Sequence, residues 1–391
     1  MKITFFSNFL NHHQIPICNA FYDKFKSDFT FVACEQVPDE RIKLGYIHDF
    51  KSYPYLLESH SDPVQYEKAL KLGFDSDIVI IGSADEIYIK ERLIANKLTF
   101  RYSERLFKTN KHVVLYPYLI LKRFKLDTIY RNKNMYMLCS SAFTPLDYTM
   151  FFSYPKRFFK WGYFPQKNIY DMDELMNMKQ NNTVTEFLWV GRLIAWKRPF
   201  DAINVIKTLI ADGFKVHLNI IGTGPLEVEL KQYIEQNNLA PYITLVGSVE
   251  AHKVRSYMDQ ANIFLMTSNK QEGWGAVVNE AMNSGCAVYA YYKVGSAPYL
   301  IKHRVNGTLY KTIHLLTDQV KADLIDPNVI SKMGVNAYHT ITGTWNAEIA
   351  VNRFIDVASQ ILDHKKPTLP TEGPLSKAEI WTSRHVRKMI K

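Results

Sequence analysis

Cysteine is scarce in this 391-residue chain: Cys18, Cys34, Cys139 and Cys286 are the only four, and they lie far apart. That spacing excludes a disulfide framework and a cysteine-based zinc site, and it fits a reducing cytoplasm. Long hydrophobic runs are missing as well. No segment approaches the roughly 20 apolar residues of a membrane-crossing helix. The opening "MKITFFSNFLNHHQIPICNAFYD" is interrupted by asparagine and histidine before a signal-peptide core could form. The expectation is a protein neither secreted nor integral to a membrane. There is no internal repeat and no low-complexity tract.

Acidic residues are the scarcer charge, 38 against 48 Lys and Arg, for a net charge of +10. Such a surplus points to an anionic partner: nucleic acid, a phosphorylated small molecule or an acidic membrane surface. No nucleic-acid-binding module is recognisable, so nucleic acid is not the expected partner. With 47% hydrophobic and 22% charged residues the chain is not disordered. Its length exceeds the roughly 100–200 residues of one domain, which predicts two.

The second half alternates regularly. "TEFLWVGRL" reads as a buried strand, "PFDAINVIKTLIADG" as an amphipathic helix and "KVHLNIIGTGP" as a strand ending in a glycine turn. "LEVELKQYIEQNN", "ITLVGSV", "EAHKVRSYMDQA", "NIFLMTS", "AVVNEAMNSG" and "AVYAYY" continue as helix, strand, helix, strand, helix and strand. Strands alternating with helices predict a parallel α/β sheet with right-handed crossovers. In the first half "KITFFSN", "FTFVAC", "SDIVIIGS", "KHVVLYPY" and "NMYMLCSS" read as strands of a second such sheet. The polar stretch "WGYFPQKNIYDMDELMNMKQNNT" marks the boundary. The resulting division is an N-terminal domain over 1–170, a C-terminal domain over 171–363, and a linker with a basic helix over 364–391 that could pack back on the N-terminal domain.

Parallel α/β sheets bind ligands beyond the carboxyl ends of their strands, and several motifs fall there. In "VGRLIAWKRPF", Arg192 and Lys197 place two cations at a strand end, a suitable seat for a diphosphate. In "IIGTGP", Gly222 and Gly224 allow a tight turn and close backbone approach, without the third glycine of a dinucleotide fingerprint. "NKQEGWGAVVNEAMNSG" sets Glu272 and Glu280 eight positions apart, with Trp274, Gly275 and Ala276 at the expected start of a helix. Its free N–H groups would attract an anion, and paired sugar hydroxyls match carboxylate acceptors.

In this order, "VGRL", "IGTGP", "VGSV" and "EGWGAVVNEAM" resemble the retaining glycosyltransferases of family 4, most closely over residues 186–310. The resemblance implies the GT-B architecture, α/β with two facing Rossmann-like domains and a central cleft. It implies a nucleotide-sugar donor, with a UDP or GDP moiety, and an acceptor that is a glycan or lipid-linked precursor of a surface polysaccharide. It assigns Arg192 and Lys197 to the departing diphosphate, Glu272 to the transferred sugar and Glu280 to the ribose. Backbone around Trp274, Gly275 and Ala276 would meet phosphate or sugar, and Val249 would lie against the base. No metal and no further cofactor is implied. The chain departs from the family at "VGSAPYLI", where Tyr299 occupies a usually acidic position, and in lacking the N-terminal-domain histidine of many members. Asn11, His13, Ser103 and Glu104 are the candidates for that side of the site, and Trp274 with Tyr289 to Tyr292 for the sugar pocket. A decayed binding protein without transferase activity and a GT-B-type nucleotide-sugar epimerase are the alternatives.

One further feature concerns surfaces. "YLILKRFKLDTIYRNKNMYML" carries Lys122, Arg123, Lys125, Arg131 and Lys133 against one acid, and "FFSYPKRFFKWGYF" carries Lys156, Arg157 and Lys160 among aromatic rings. Such mixtures suit the surface of an anionic bilayer.

Overall fold

The computed structural model describes residues 1–38, 53–109, 117–382, 385, 388 and 390. Contacts divide the chain into two units. Unit 1 comprises Met1–Gln166 and Trp345–Trp381; unit 2 comprises Lys167–Thr344 and Thr382–Lys391.

Unit 1 contains strands β1 (Ile3–Ser7), β2 (Phe29–Ala33), β3 (Leu56–Glu58), β4 (Ile78–Ile81), β5 (Thr99–Ser103), β6 (Met135–Cys139) and β7 (Phe158–Lys160). Its first helices are α1 (Ile15–Phe25), α2 (Pro63–Asp75), α3 (Lys90–Ile94), α4 (Pro117–Leu126) and α5 (Thr144–Thr149). The strands pair in parallel in the order β3-β2-β1-β4-β5-β6-β7. The central strands are apolar on both faces, as a sheet covered by helices requires; β1 and β4 are buried at every residue. Local chemistry sets the helix starts: Asp62 accepts from the Gln65 N–H at 2.9 Å ahead of Pro63, which opens α2.

Unit 2 contains β8 (Thr185–Val190), β9 (Val216–Ile221), β10 (Ile243–Gly247), β11 (Ile263–Met266), β12 (Ala287–Tyr291) and β13 (Gly307–Tyr310). They are parallel in the order β10-β9-β8-β11-β12-β13. Its helices are α6 (Met172–Gln180), α7 (Pro199–Ala211), α8 (Glu227–Gln236), α9 (Ala251–Gln260), α10 (Val277–Asn283), α11 (Ala297–Leu300), α12 (Ile313–Ile325) and α13 (Pro327–Gly343). The strand order reverses between β8 and β11, and that is where open α/β sheets form their ligand crevice.

The last helix, α14 (Ala347–Leu362), corrects the sequence-based boundary at 363. It belongs to unit 1, where Phe354 packs edge-on against Phe21 and lies 4.8 Å from the ring of Phe100. An amphipathic helix carries no label for the sheet it will cover, so its apolar periodicity could not reveal this. The expected basic helix at the carboxyl end is also corrected over Ser376–Thr382. That stretch is not helical, and Lys377 bridges to Phe159 of β7. The reading of "KHVVLYPY" as a strand falls outside the described residues up to 116, and its last two residues open α4. Strands β3, β5, β7 and β13 were not anticipated; three of them have only three or four residues, too short to show a period.

Candidate functional site

Three neighbouring strands of unit 2 end in glycine turns that are laced by backbone hydrogen bonds. Gly191 N–H donates to Ile221 at 3.0 Å, Leu193 N–H to Thr223 at 2.9 Å and Gly222 N–H to Gly247 at 2.8 Å. Gly222 has a φ of 132°, and a Cβ there would stand 1.9 Å from the Gly191 carbonyl oxygen. Only glycine permits that approach. Gly224 faces the Leu193 carbonyl in the same way, at 2.6 Å. The "VGRL" and "IGTGP" motifs are therefore two halves of one packed floor.

From this floor the chain after β8 carries the cations. Leu193, 1% exposed, anchors the loop, and Arg192 beside it is exposed. Among the described residues no hydrogen bond or ion pair engages the Arg192 guanidinium. Lys197 closes a short 3-10 turn, Ala195–Lys197, and points across the reversal of strand order. Its Nζ lies 2.5 Å from Glu272 Oε2, a pairing of residues 75 positions apart. Both side chains are largely shielded, at 14% and 11% exposed. Two further bonds tie the β8 and β11 loops together: Asn269 N–H to the Trp196 carbonyl at 2.9 Å, and Thr267 Oγ1 to the Lys197 carbonyl at 2.8 Å. Thr267 Oγ1 in turn accepts from Trp189 Nε1. The cation and the carboxylate expected at the site thus stand together at the position where the topology opens the sheet.

Glu280 is held differently. Helix α10 begins at Val277, two residues later than expected, so Glu280 sits in its first turn. The side chain is half-buried in accessible area yet seated deep among neighbouring atoms. Burial pushes its carboxyl above the ordinary range, and the Arg255 guanidinium partly offsets this. Among the described residues no hydrogen bond engages this carboxylate. Arg255 itself donates to the Glu280 backbone carbonyl at 2.8 Å and to Asn283 Oδ1 at 3.2 Å. Neither Arg255 nor Asn283 stood out in the sequence, where a lone arginine on a helix carries no signal.

Trp274 does not present its ring to a ligand. It is 1% exposed, and its Nε1 donates to Asn279 Oδ1 at 2.9 Å. Its part is to brace the loop, with Tyr299 packed 6.2 Å away between ring centres. Tyr289 is likewise inside, its hydroxyl donating to Asp323 at 2.5 Å, while Tyr291 and Tyr292 stay partly exposed. Gly275 takes a φ of 84° beside Glu272, Ala276 follows it at the start of α10, and Val249 is half-buried just beyond β10.

In unit 1 the four candidates fall into two groups. His13, in the loop after β1, stacks on Tyr163 at 5.9 Å, and the Tyr163 hydroxyl donates to Glu104 Oε1 at 2.6 Å. Glu104 is also paired with Lys108. Ser103 turns the other way, to the Tyr148 hydroxyl at 3.0 Å, and Asn11 donates to Gln14 Oε1 at 2.8 Å. Tyr163 was missed because an aromatic residue in "WGYF" reads as core. In each of the two Asp-x-Asp tripeptides of the chain one carboxylate has a backbone partner: Asp171 caps α6 by accepting from the Asp173 and Glu174 N–H groups, and Asp77 accepts from the Lys2 N–H. Among the described residues no group of three or more His, Cys, Asp or Glu could hold a metal ion.

Residues 173–340, which contain every charged group of the unit 2 site, match the family described as "Glycosyl transferases group 1". That match covers less than half of the 391-residue chain. Over 144 residues the chain is 33% identical to the amylovoran biosynthesis glycosyltransferase AmsK of Erwinia amylovora, covering 35% of each protein. Over 129 residues it is 32% identical to the putative colanic acid biosynthesis glycosyltransferase WcaL of Salmonella typhimurium, covering 32% of each. The match thus spans about a third of the length of these curated relatives. Among solved structures, Anabaena Alr3699/HepE in complex with UDP superposes with a TM-score of 0.65 at 14% identity, over 93% of this chain and all of that one. Sucrose-phosphate synthase from Thermosynechococcus elongatus gives 0.64 at 14% identity, over the same shares. At that identity the likeness is one of fold, and the fold class is the GT-B class expected from the sequence.

Proposed function

We propose that this protein is a retaining, metal-independent glycosyltransferase. It moves a hexose or related sugar from a UDP- or GDP-linked donor to a hydroxyl of a glycan or lipid-linked precursor, in the cytoplasm or at the inner face of the membrane. The observation that carries this reading is the Lys197–Glu272 pair at the reversal of strand order, with the unengaged Glu280 carboxylate eight residues further on. The electrostatics fit the task. As the bond from the sugar's anomeric carbon to the diphosphate breaks, negative charge grows on the leaving group, and Arg192 and Lys197 are the groups to neutralise it. A donor displaces Lys197 from Glu272, freeing that carboxylate for the sugar hydroxyls. Glu280 then accepts from the two ribose hydroxyls, which match a carboxylate with spare lone pairs. The names of AmsK and WcaL support a polysaccharide-precursor acceptor.

The test is thermal unfolding of the full chain against a panel of UDP-, GDP-, ADP- and dTDP-sugars in the presence of EDTA. A ligand at 100 times its Kd adds about 2.7 kcal/mol to stability. At least one nucleotide-sugar should raise the midpoint, and NMR of the product should show the donor's anomeric configuration retained. No stabilisation by any of the panel at millimolar concentration overturns the reading, and a donor whose sugar is epimerised without transfer makes the protein an epimerase.

A further inference from the structure

Among the described residues, the exposed large apolar side chains of unit 1 concentrate on one region. Tyr118, Leu121 and Phe124 of α4, Ile129 just after it, and Met150 and Phe152 beyond α5 are all exposed, Tyr118 at 71% and Phe152 at 76%. The two parts are tied together, since Thr128 Oγ1 donates to the Phe151 carbonyl at 2.8 Å and lies 3.3 Å from Ser153 Oγ. Phe152 has a φ of 52°, and Tyr154 and Lys156 repeat the left-handed conformation at 53° and 59°. A bulky residue in that region costs energy, so the loop spends stability to hold an aromatic ring in water.

Helix α4 is pinned by its carboxyl end. The fully buried Asp127 carboxylate accepts from the Tyr154 hydroxyl at 2.7 Å and pairs at 3.1 Å with both Arg123 and Arg101. With 3.6 residues per turn, Tyr118, Leu121 and Phe124 then share the outer half of the helix, with Lys122 and Lys125 beside them. From 117 to 160 the chain has eight Lys or Arg residues, and its only acids are Asp127 and Asp147, both buried. The surface of this stretch is therefore apolar and cationic with no exposed acid. Of its cations Arg123 is committed to Asp127, Arg157 to the Lys133 carbonyl and the Tyr136 ring, and Lys160 is half-buried near Glu372 and Glu379. Lys122, Lys125, Arg131 and Lys156 are exposed.

We infer that this face, α4 with the Phe152 loop, is a docking surface for an anionic lipid bilayer, with the apolar side chains entering the headgroup boundary and the four exposed cations meeting lipid phosphates. The charge argues for lipid over a protein partner, because lysine is depleted at protein interfaces and enriched on the polar flanks of interfacial helices. Each cation near an anionic surface adds to the attraction, so four of them and a handful of apolar side chains give reversible attachment. The inference is independent of the donor site and of the proposed reaction.

The test is flotation of the full chain with vesicles of pure phosphatidylcholine and of phosphatidylcholine containing phosphatidylglycerol. Binding should appear with the anionic lipid and fall as salt is raised. The double variant K122Q/K125Q and the single variant L121E should each lower the bound fraction at least about tenfold, with unfolding midpoints unchanged. In a Phe152→Trp variant the emission of the introduced indole, taken as the difference from wild type, should shift to the blue on addition of anionic vesicles. No binding, equal binding to both vesicles, or a difference emission that does not move overturns the inference. So does a wild-type dimer in solution that Leu121→Glu makes monomeric, which would assign the face to a second copy of the chain.

Discussion

The strand-end loops of the two units hold similar residues in opposite states. In unit 1 the polar groups satisfy one another: Asn11 with Gln14, Ser103 with Tyr148, and Glu104 with both Tyr163 and Lys108. In unit 2 Arg192 and Glu280 engage no hydrogen-bond partner among the described residues, and the Lys197 and Glu272 charged ends hydrogen-bond only to each other among the described residues, with Lys197 Nζ also 4.8 Å from the centre of the Trp196 ring. A group whose partners are already in place loses little when no ligand comes. Charged groups held near the surface with spare capacity raise the cost of the empty state, which is what a binding site requires. The difference teaches that residue type at a strand end is a weak guide and that the state of its partners is the stronger one.

The comparison can be broken by substitution, and the largest effect is expected at Lys197. Lys197→Ala should lower the rate of sugar transfer, or of donor hydrolysis when no acceptor is supplied, by about 10²–10³-fold, the range for removing one preorganised group that meets a developing charge. Glu104→Ala should lower it less than tenfold. Equal losses, with folding intact in both, would mean that the self-satisfied cluster of unit 1 is no less engaged in the reaction.

Next in size is Gly222→Ala. The added methyl would meet the Gly191 carbonyl at 1.9 Å, and overpacking of this kind costs about 1–3 kcal/mol. A lower denaturation midpoint together with weakened UDP or GDP binding is the expected pair of results. A midpoint equal to wild type would show that the floor of the site yields more easily than its backbone bonds indicate.

Glu280 separates binding from stability. Glu280→Ala should weaken nucleotide binding by about 1–3 kcal/mol, since two ribose hydroxyls lose their acceptor. Its carboxyl is raised in the folded state, so the fold takes up protons that the unfolded chain does not. The stability penalty is absent below the unfolded pKa, grows as pH rises towards the folded pKa and is complete above it. Glu280→Gln, which cannot ionise, should therefore unfold at a higher temperature than wild type at neutral pH and at the same temperature in acid. A neutral-pH midpoint at or below wild type would remove the argument that this carboxylate is held charged at a cost. The smallest effects belong to Asn11→Ala and Ser103→Ala, for which calorimetry should find donor affinity unchanged within error; a clear loss in either would extend the donor site into unit 1.

Much of this was open to reading along the chain. Strand and helix periods are local, so β8 to β12 and the helices between them could be read from alternation, and the paired glutamates of "EGWGAVVNEAM" were conspicuous at their fixed spacing. What the sequence by itself determined is therefore the α/β class, the two-domain scale, the glycine turns and the identity of the charged residues beyond them, because each depends on neighbours within a few turns of chain. The tertiary structure alone decided that Lys197 faces Glu272 across 75 residues, that the Trp274 ring is braced inside, that α14 covers the first sheet, and that only some of the cations around α4 reach solvent. The reason is the same in each case. Which strands become neighbours, and which side of a helix is left uncovered, follow from contacts between segments distant in sequence, and no local pattern records them.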